Sequence, residues 1–382
     1  MNILIAIDSF KGSLSTDELC DAIEKGILKV SSDYYIKKTP IADGGEGTYK
    51  TLVSGLGGKT IRIPVKDPLF KDIEAEYGIL KDHTAIIEMA TSSGLPLVPM
   101  HLQNPLNTST YGVGQMIADA IDKGCRKFII GIGGSATNDG GIGMLEALGY
   151  RFYDRHHNSL IPIGSSLDKI AHIDQTSKKS ELDECEFLIA CDVDNPFYGP
   201  NGAAYVYGPQ KGANPEEVKT LDSGLKSFNE VIKRTFNKDL SNLSGAGAAG
   251  GLGGGFYAFL NAELKPGIDI IFEKLQIENQ ISWADLIITG EGKLDFQTVM
   301  GKAPIGIAKL AKKQNKPVIA LAGSITKDAY KVHDHGITSM FSIINRPMTL
   351  ETAMDKIQAI ELVINQTSEI FYLIKNLKSI NN

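Results

Sequence analysis

Residues 131–149, GIGGSATNDGGIGMLEALG, constrain the fold more than any other stretch of the chain. The run before it, Lys127-Phe-Ile-Ile-Gly-Ile132, is β-branched and aromatic and predicts a buried strand. After it, Ile142, Leu145 and Leu148 mark one face of a short helix, which Gly149 can end at its C′ position. Between them lies a glycine-dense turn carrying Ser135, Thr137, Asn138 and Asp139. Strand, glycine turn, helix is the arrangement that aims backbone N–H groups and a helix N-terminus at an anion. A single turn of this kind is equally explained by capping from Asn138 or Asp139. The chain, however, repeats the pattern.

Ile3 to Ile7 predicts a strand, followed by Asp8-Ser-Phe-Lys-Gly-Ser13 and a helix capped by Ser15 or Thr16. Glu18 is placed for a capping box, and Leu19, Ile23 and Ile27 form the buried stripe of that helix. Tyr34 to Thr39 predicts a second strand running into Ala42-Asp-Gly-Gly-Glu-Gly-Thr48, a glycine turn with two carboxylates. Alternation around Asp67-Pro68 predicts an antiparallel hairpin. Further strands are expected at 84–89 and 186–193, with a helix near 113–121 and another opened by Asn214-Pro215. Ser244-Gly-Ala-Gly-Ala-Ala-Gly-Gly-Leu-Gly-Gly-Gly255 reads as a glycine loop. Beyond Trp283 strand and helix alternate regularly, ending in long helical material over 350–370.

A chain of 382 residues exceeds what one hydrophobic core usually supports. The element order predicts an α/β protein of two domains. A Rossmann-like parallel-sheet domain is built from both chain ends, 1–45 and 283–382, and a mixed-sheet α/β domain, 46–282, is inserted between them, with the active-site cleft between the two. The four cysteines form no CxxC pair, which fits a reducing cytoplasm better than a disulfide framework or zinc site. A net charge of −6 without a basic run argues against nucleic acid, and the glycine-rich run at 240–262 is too weakly apolar for a membrane span. Nothing in the sequence fixes an oligomeric state.

Gly245-x-Gly247-x-x-Gly250 formally matches a dinucleotide fingerprint, but no strand is expected before it, so a phosphate-cradling or close-packing role is the better reading. No Walker A spacing and no Gly-x-Ser-x-Gly elbow occur. What remains is a set of carboxylates and lysines at strand ends or glycine turns. They are Asp8 with Lys11, Asp43 with Glu46, Asp139, Asp192 with Asp194, Lys211, Glu291 with Lys293 and Asp295, and Lys302. In open α/β sheets the carboxyl ends of the strands face the ligand. Phosphoryl transfer uses this kit: N–H groups and lysines for phosphates, carboxylates for Mg²⁺, and one carboxylate to receive the hydroxyl proton.

These stretches resemble the bacterial type I glycerate kinase family. Asp8-Ser-Phe-Lys-Gly-Ser13, Ala42-Asp-Gly-Gly-Glu-Gly-Thr48 and Gly133-Gly-Ser-Ala-Thr-Asn-Asp-Gly-Gly141 carry the resemblance. So do Gly208-Pro-Gln-Lys-Gly-Ala213, Gly245-Ala-Gly-Ala-Ala-Gly-Gly-Leu-Gly253 and Ile288-Thr-Gly-Glu-Gly-Lys-Leu-Asp295. The resemblance implies ATP-dependent phosphorylation of glycerate, usually at the 2-hydroxyl, by an enzyme of two α/β domains. One local departure is Asp194, where the family often has a neutral residue, leaving Asp192 as the better catalytic candidate of that loop.

Chemistry then suggests the roles. Asp192 is the expected general base, with Asp8 the next candidate. Lys11 and Lys293 would neutralise the transferring phosphoryl group, and Asp43 and Glu291 would hold Mg²⁺. Gly133, Gly134, Ser135, Asn138 and Asp139, together with Gly247, Gly250, Gly251 and Lys211, would cradle phosphates or the substrate carboxylate. At this level several alternatives stand: a 3-phosphoglycerate-forming kinase, an NAD-dependent hydroxy-acid dehydrogenase, and a non-catalytic anion-binding protein.

Overall fold

The computed structural model describes residues 1–41, 47–299 and 302–380, and the chain divides into two compact units, Met1–Asp43 with Ile271–Asn382, and Gly44–Ile270. The chain opens with β1 (Asn2–Ile5), α1 (Thr16–Leu28) and β2 (Tyr35–Lys38). The start of α1 follows from local sequence: Ser15 Oγ accepts the Glu18 N–H, and the Glu18 carboxylate accepts the Ser15 N–H in return. Leu19, Ile23 and Ile27 are fully buried along its inner face.

The inserted unit begins with α2 (Thr48–Leu56), the long hairpin β3 (Gly58–Lys66) and β4 (Asp72–Leu80), β5 (Thr84–Glu88), α3 (Ala90–Ser93) and α4 (Tyr111–Asp122). It continues through β6 (Lys127–Gly131), α5 (Ile142–Ala147), the small pair β7 (Arg151–Tyr153) and β8 (His172–Asp174), and β9 (Glu186–Ala190). It closes with α6 (Ala203–Tyr207), α7 (Pro215–Phe236), α8 (Ala248–Leu260) and β10 (Glu263–Lys265). Its main sheet runs β10-β9-β6-β5-β4-β3, with the first four strands parallel and the hairpin antiparallel on one edge. The carboxyl ends of β5, β6, β9 and β10 therefore share one edge. Stacked Phe128 and Phe187, with ring centroids 4.7 Å apart, lie in the core beneath them.

After α9 (Gly267–Leu275) and α10 (Ile277–Trp283) come β11 (Leu286–Leu294), α11 (Phe296–Val299), α12 (Ala303–Lys313), β12 (Val318–Ile325) and β13 (Ser339–Ser342). Two helices, α13 (Leu350–Met354) and α14 (Lys356–Ile380), end the chain. This sheet is parallel throughout and ordered β13-β12-β11-β1-β2. Strand order reverses between β1 and β11, so this is a doubly wound sheet whose switch point lies at the ends of those two strands. The fold class is as expected: a Rossmann-like parallel sheet from both chain ends and an inserted mixed-sheet α/β unit.

Local details differ from the sequence reading. The glycine run read as a loop is mostly the helix α8, interrupted near its start by left-handed Ala249, Gly250 and Gly251. Its later glycines permit close backbone approach: a Cβ on Gly255 would lie 2.7 Å from the Gly140 carbonyl oxygen. The expected 350–370 helix is two helices that part at Asp355. β11 reaches Leu294, so Glu291 and Lys293 belong to the strand itself rather than to a turn after it.

Candidate active site

In the chain-end unit, charged side chains gather at the switch point. The Asp8 N–H donates to the Gly290 carbonyl at 3.0 Å, extending the β1–β11 pairing to the residues that matter. Asp8, Lys11, Glu291, Lys293, Asp295 and Lys302 line one cavity of about 720 Å³. The carboxylates are buried, whereas Lys11 and Lys293 are exposed. Glu291 is held on both oxygens: the Thr298 hydroxyl donates to Oε1 at 2.6 Å and Lys302 Nζ lies 3.1 Å from Oε2. Lys293 pairs with Asp295 at 3.4 Å. Lysines and carboxylates thus alternate around one opening, a surface suited to phosphate with a divalent cation. Asp43, expected as a metal ligand, and its neighbour Glu46 lie outside the described residues.

In the inserted unit the 133–141 turn follows β6 and packs on the start of α8. The Gly140 N–H donates to the Gly250 carbonyl at 3.0 Å. A Cβ on Gly250, whose φ is +70°, would sit 2.0 Å from the Thr137 carbonyl oxygen. The turn is clamped from below by Lys211, which is buried and donates from Nζ to Ser135 Oγ and the Thr137 carbonyl, both at 2.7 Å. Burial pushes the Lys211 ammonium down to about 7, an effect that the nearby Asp139 only partly offsets.

Asp139 is spent on the scaffold. Its carboxylate accepts the Thr110 N–H and hydroxyl, both at 2.8 Å, and the N–H groups of Gly141 and Gly143 at 3.1 and 3.2 Å. It thereby caps α5 and ties α4 to the turn, and burial raises its pKa despite these bonds. Asn138 behaves differently. Its carboxamide and the Thr137 hydroxyl are fully buried without a hydrogen-bond partner in the protein, so neither is presented on the surface of the turn.

Asp192 stands exposed just past β9, and its Oδ1 accepts the Gly267 N–H at the start of α9 at 2.9 Å. Asp194 accepts the Ser244 hydroxyl at 2.8 Å. The structure thus places Asp192, the 133–141 turn, Gly247, Gly250, Gly251 and Lys211 in one unit, and Asp8, Lys11, Glu291 and Lys293 in the other. Sequence reasoning passed over Glu88, which ends β5 and accepts the Gly47 and Tyr49 N–H groups at 3.1 and 2.9 Å. It also passed over the apolar side of the cavity, Met348, Leu350 and Met354. Glu88 gave a usable signal, a carboxylate directly after the apolar run Ala85-Ile-Ile87; the methionines gave none.

The glycine run of α8 follows α7 and a stretch that is not a strand, so it lacks the strand a dinucleotide fingerprint requires. Among the described residues no three ligating side chains cluster as a metal cage, and no helix is long and apolar enough to cross a membrane. Magnesium is usually held by one or two carboxylates together with substrate phosphates, and the oxygen donors in the cavity fit that mode.

Fold and strand-end chemistry define an α/β protein built to handle anions. The model of the glycerate kinase family matches residues 3–375, and the chain belongs to that family of kinases. It is 47% identical over 356 residues to a glycerate kinase of Bacillus subtilis (strain 168), covering 93% of each chain. It is 46% identical over 354 residues to the glycerate 2-kinase of Escherichia coli (strain K12), covering 92% of this chain and 93% of that one. A crystal structure from Salmonella typhimurium LT2, provisionally named glycerate kinase 2, superposes with a TM-score of 0.92 at 43% identity, covering 99% of both chains.

Proposed function

We infer that this protein transfers the γ-phosphoryl group of ATP to the 2-hydroxyl of D-glycerate, giving 2-phosphoglycerate and ADP in the cytoplasm. The observation that carries the reading is the cavity at the β1–β11 switch point, where Lys11, Lys293 and Lys302 surround Asp8, Glu291 and Asp295. The name of the Escherichia coli relative supports the choice of the 2-hydroxyl.

In this reading Asp192 takes the proton from the glycerate hydroxyl as its oxygen attacks the γ-phosphorus. The bond from that phosphorus to the bridging oxygen breaks, and ADP leaves with its electron pair. Lys11 and Lys293 neutralise the transferring group, and little covalent chemistry is asked of the protein beyond positioning and charge. Glu291, with Asp43 by sequence, would hold Mg²⁺, which supplies charge neutralisation on the phosphates. The 133–141 turn and the start of α8 hold the glycerate carboxylate through backbone N–H groups, with Gly133 and Gly134 the exposed residues of the turn. Asp139 and Lys211 act beneath that surface by fixing its shape.

A coupled ADP-release assay over a panel of short hydroxy acids, with the product resolved by phosphorus NMR, tests the proposal. D-Glycerate is expected to give the fastest release and 2-phosphoglycerate the dominant signal. A dominant 3-phosphoglycerate signal overturns the regiochemistry, and absence of ADP release with every acid overturns the class.

A further inference from the structure

We propose that the cavity of the chain-end unit seats the entire nucleotide, with the phosphates at its charged groups and the purine against an apolar wall of Phe10, Ile344, Met348, Leu350 and Met354. The proposal rests on the phosphoryl-transfer reading above and adds to it the seat of the base.

Size is the first argument. The cavity measures about 720 Å³. Sites of ~300–1,000 Å³ hold ligands of drug or cofactor size, and a three-carbon acid fills a small part of such a volume. The second argument is the division of its lining. The charged groups come with the backbone of Gly292, Gly323 and Ser324 from the carboxyl ends of β11 and β12. The 343–354 segment supplies a second part of the lining, and its contributions are almost all apolar. Glycerate, a carboxylate with two hydroxyls, has no surface to bury there. A nucleoside triphosphate has a flat apolar base joined through ribose to a polyanion, and matches both parts.

The wall is built, and its apolar surface is displayed. Leu350 is 76% exposed at the start of α13, a helix that buries none of its residues. Thr349 fixes the start of α13 by accepting the Thr352 N–H at 3.2 Å, so the wall has a defined position. Met354 packs back toward the Asp8–Ser13 loop, where its Cε would be 2.8 Å from a Cβ on Gly12. Two methionines suit a planar ring, because unbranched thioethers adapt their shape and make favourable sulfur–aromatic contacts.

Isothermal titration calorimetry with ADP and with inorganic tripolyphosphate on the same samples tests the assignment. Leu350→Gln and the double variant Leu350→Gln/Met354→Gln remove apolar surface without adding charge, and Leu350 is exposed enough that its variant keeps the fold. The double variant is expected to weaken ADP binding about tenfold and the single variant severalfold, as loss of part of a buried apolar contact implies. Tripolyphosphate binding and the KM for D-glycerate stay within about twofold. Unchanged ADP affinity in variants that melt like the wild type overturns the seat of the base while leaving the kinase reading intact. A wild-type protein that turns over no hydroxy acid and binds no ADP removes the kinase reading and this inference with it.

Discussion

Gly267 donates its backbone N–H to Asp192 Oδ1 at 2.9 Å, so the carboxylate proposed as general base is also the N-terminal partner of α9. The two roles make separable demands. Capping needs an oxygen acceptor, which asparagine retains, whereas proton abstraction needs a carboxylate. Asp192→Asn is therefore expected to lower kcat by roughly 10²–10⁴-fold, the usual contribution of a positioned base. The melting temperature should move little, since Asn and Asp cap almost equally well. Asp192→Ala should lose the same activity and about 1 kcal/mol of stability besides. Near-wild-type turnover in the asparagine variant, measured with melting on the same sample, would move the base to Asp8 or Asp295.

Glu291 bears on the metal. Its Oε1 and Oε2 are engaged by Thr298 and Lys302, an arrangement that fixes the carboxylate in the lining of the cavity. Glu291→Gln keeps the shape and the Thr298 contact but removes the charge. The Mg²⁺ concentration for half-maximal rate should rise about tenfold or more at fixed ATP, with the KM for D-glycerate unchanged, because a neutral oxygen is a poorer ligand for a hard cation. Rate against Mg²⁺ concentration reads this directly, and superimposable titrations would exclude Glu291 as a ligand.

How much of this was legible in the sequence depends on the range of the interactions. The capping box Ser15–Glu18 and the helix start at Asn214-Pro215 were visible because the signals lie within one turn of helix. The β3–β4 hairpin was visible through alternation around Asp67-Pro68. What escaped the sequence is long-range. Nothing near Asp139 announces that its carboxylate serves Thr110 just before α4, and nothing near Lys211 announces that it holds up the 133–141 turn. The 244–255 run was legible in part: its start is an irregular glycine turn with Ala249, Gly250 and Gly251 left-handed, as a close-packing glycine loop implies, while 252–255 continue as helix in α8, which glycine-richness does not announce. Chemistry-bearing residues were legible by type and position near strand ends. Their sorting into scaffold and surface was not, because burial is set by partners far along the chain.

Gly250 gives a stability test of that close approach. Its φ of +70° is unfavourable for a side chain, and an added Cβ would lie 2.0 Å from a backbone carbonyl that cannot rotate away. Left-handed strain alone amounts to about 1–2 kcal/mol, and the clash adds to it. Gly250→Ala should therefore destabilise the protein by roughly 3 kcal/mol or more. Gly133→Ala, where an added Cβ meets nothing within 4 Å, should change stability by less than about 0.5 kcal/mol. Urea denaturation of the pair checks the contrast, and equal midpoints would mean that the two glycine turns do not pack as described.

Lys211 makes the pH behaviour predictable in sign. Burial lowers its pKa from the ordinary 10.5 to about 7. Between these values the unfolded chain binds a proton that the native state does not, so the contribution of Lys211 to stability increases as pH rises. It is least favourable below the folded value and complete above the unfolded one. The limiting slope is about 1.4 kcal/mol per pH unit. Lys211→Met removes the titration, at the expense of leaving Ser135 Oγ and the Thr137 carbonyl short of a donor. The wild type should accordingly gain on the variant by on the order of 2–3 kcal/mol between about pH 7 and about pH 9.5, when both are unfolded in urea at each pH. Groups common to both proteins cancel in that difference, apart from the Asp139 interaction, which opposes the trend only in part. Parallel stability curves for the two proteins across that interval would show that Lys211 is charged in the fold throughout, and that burial does not set its protonation.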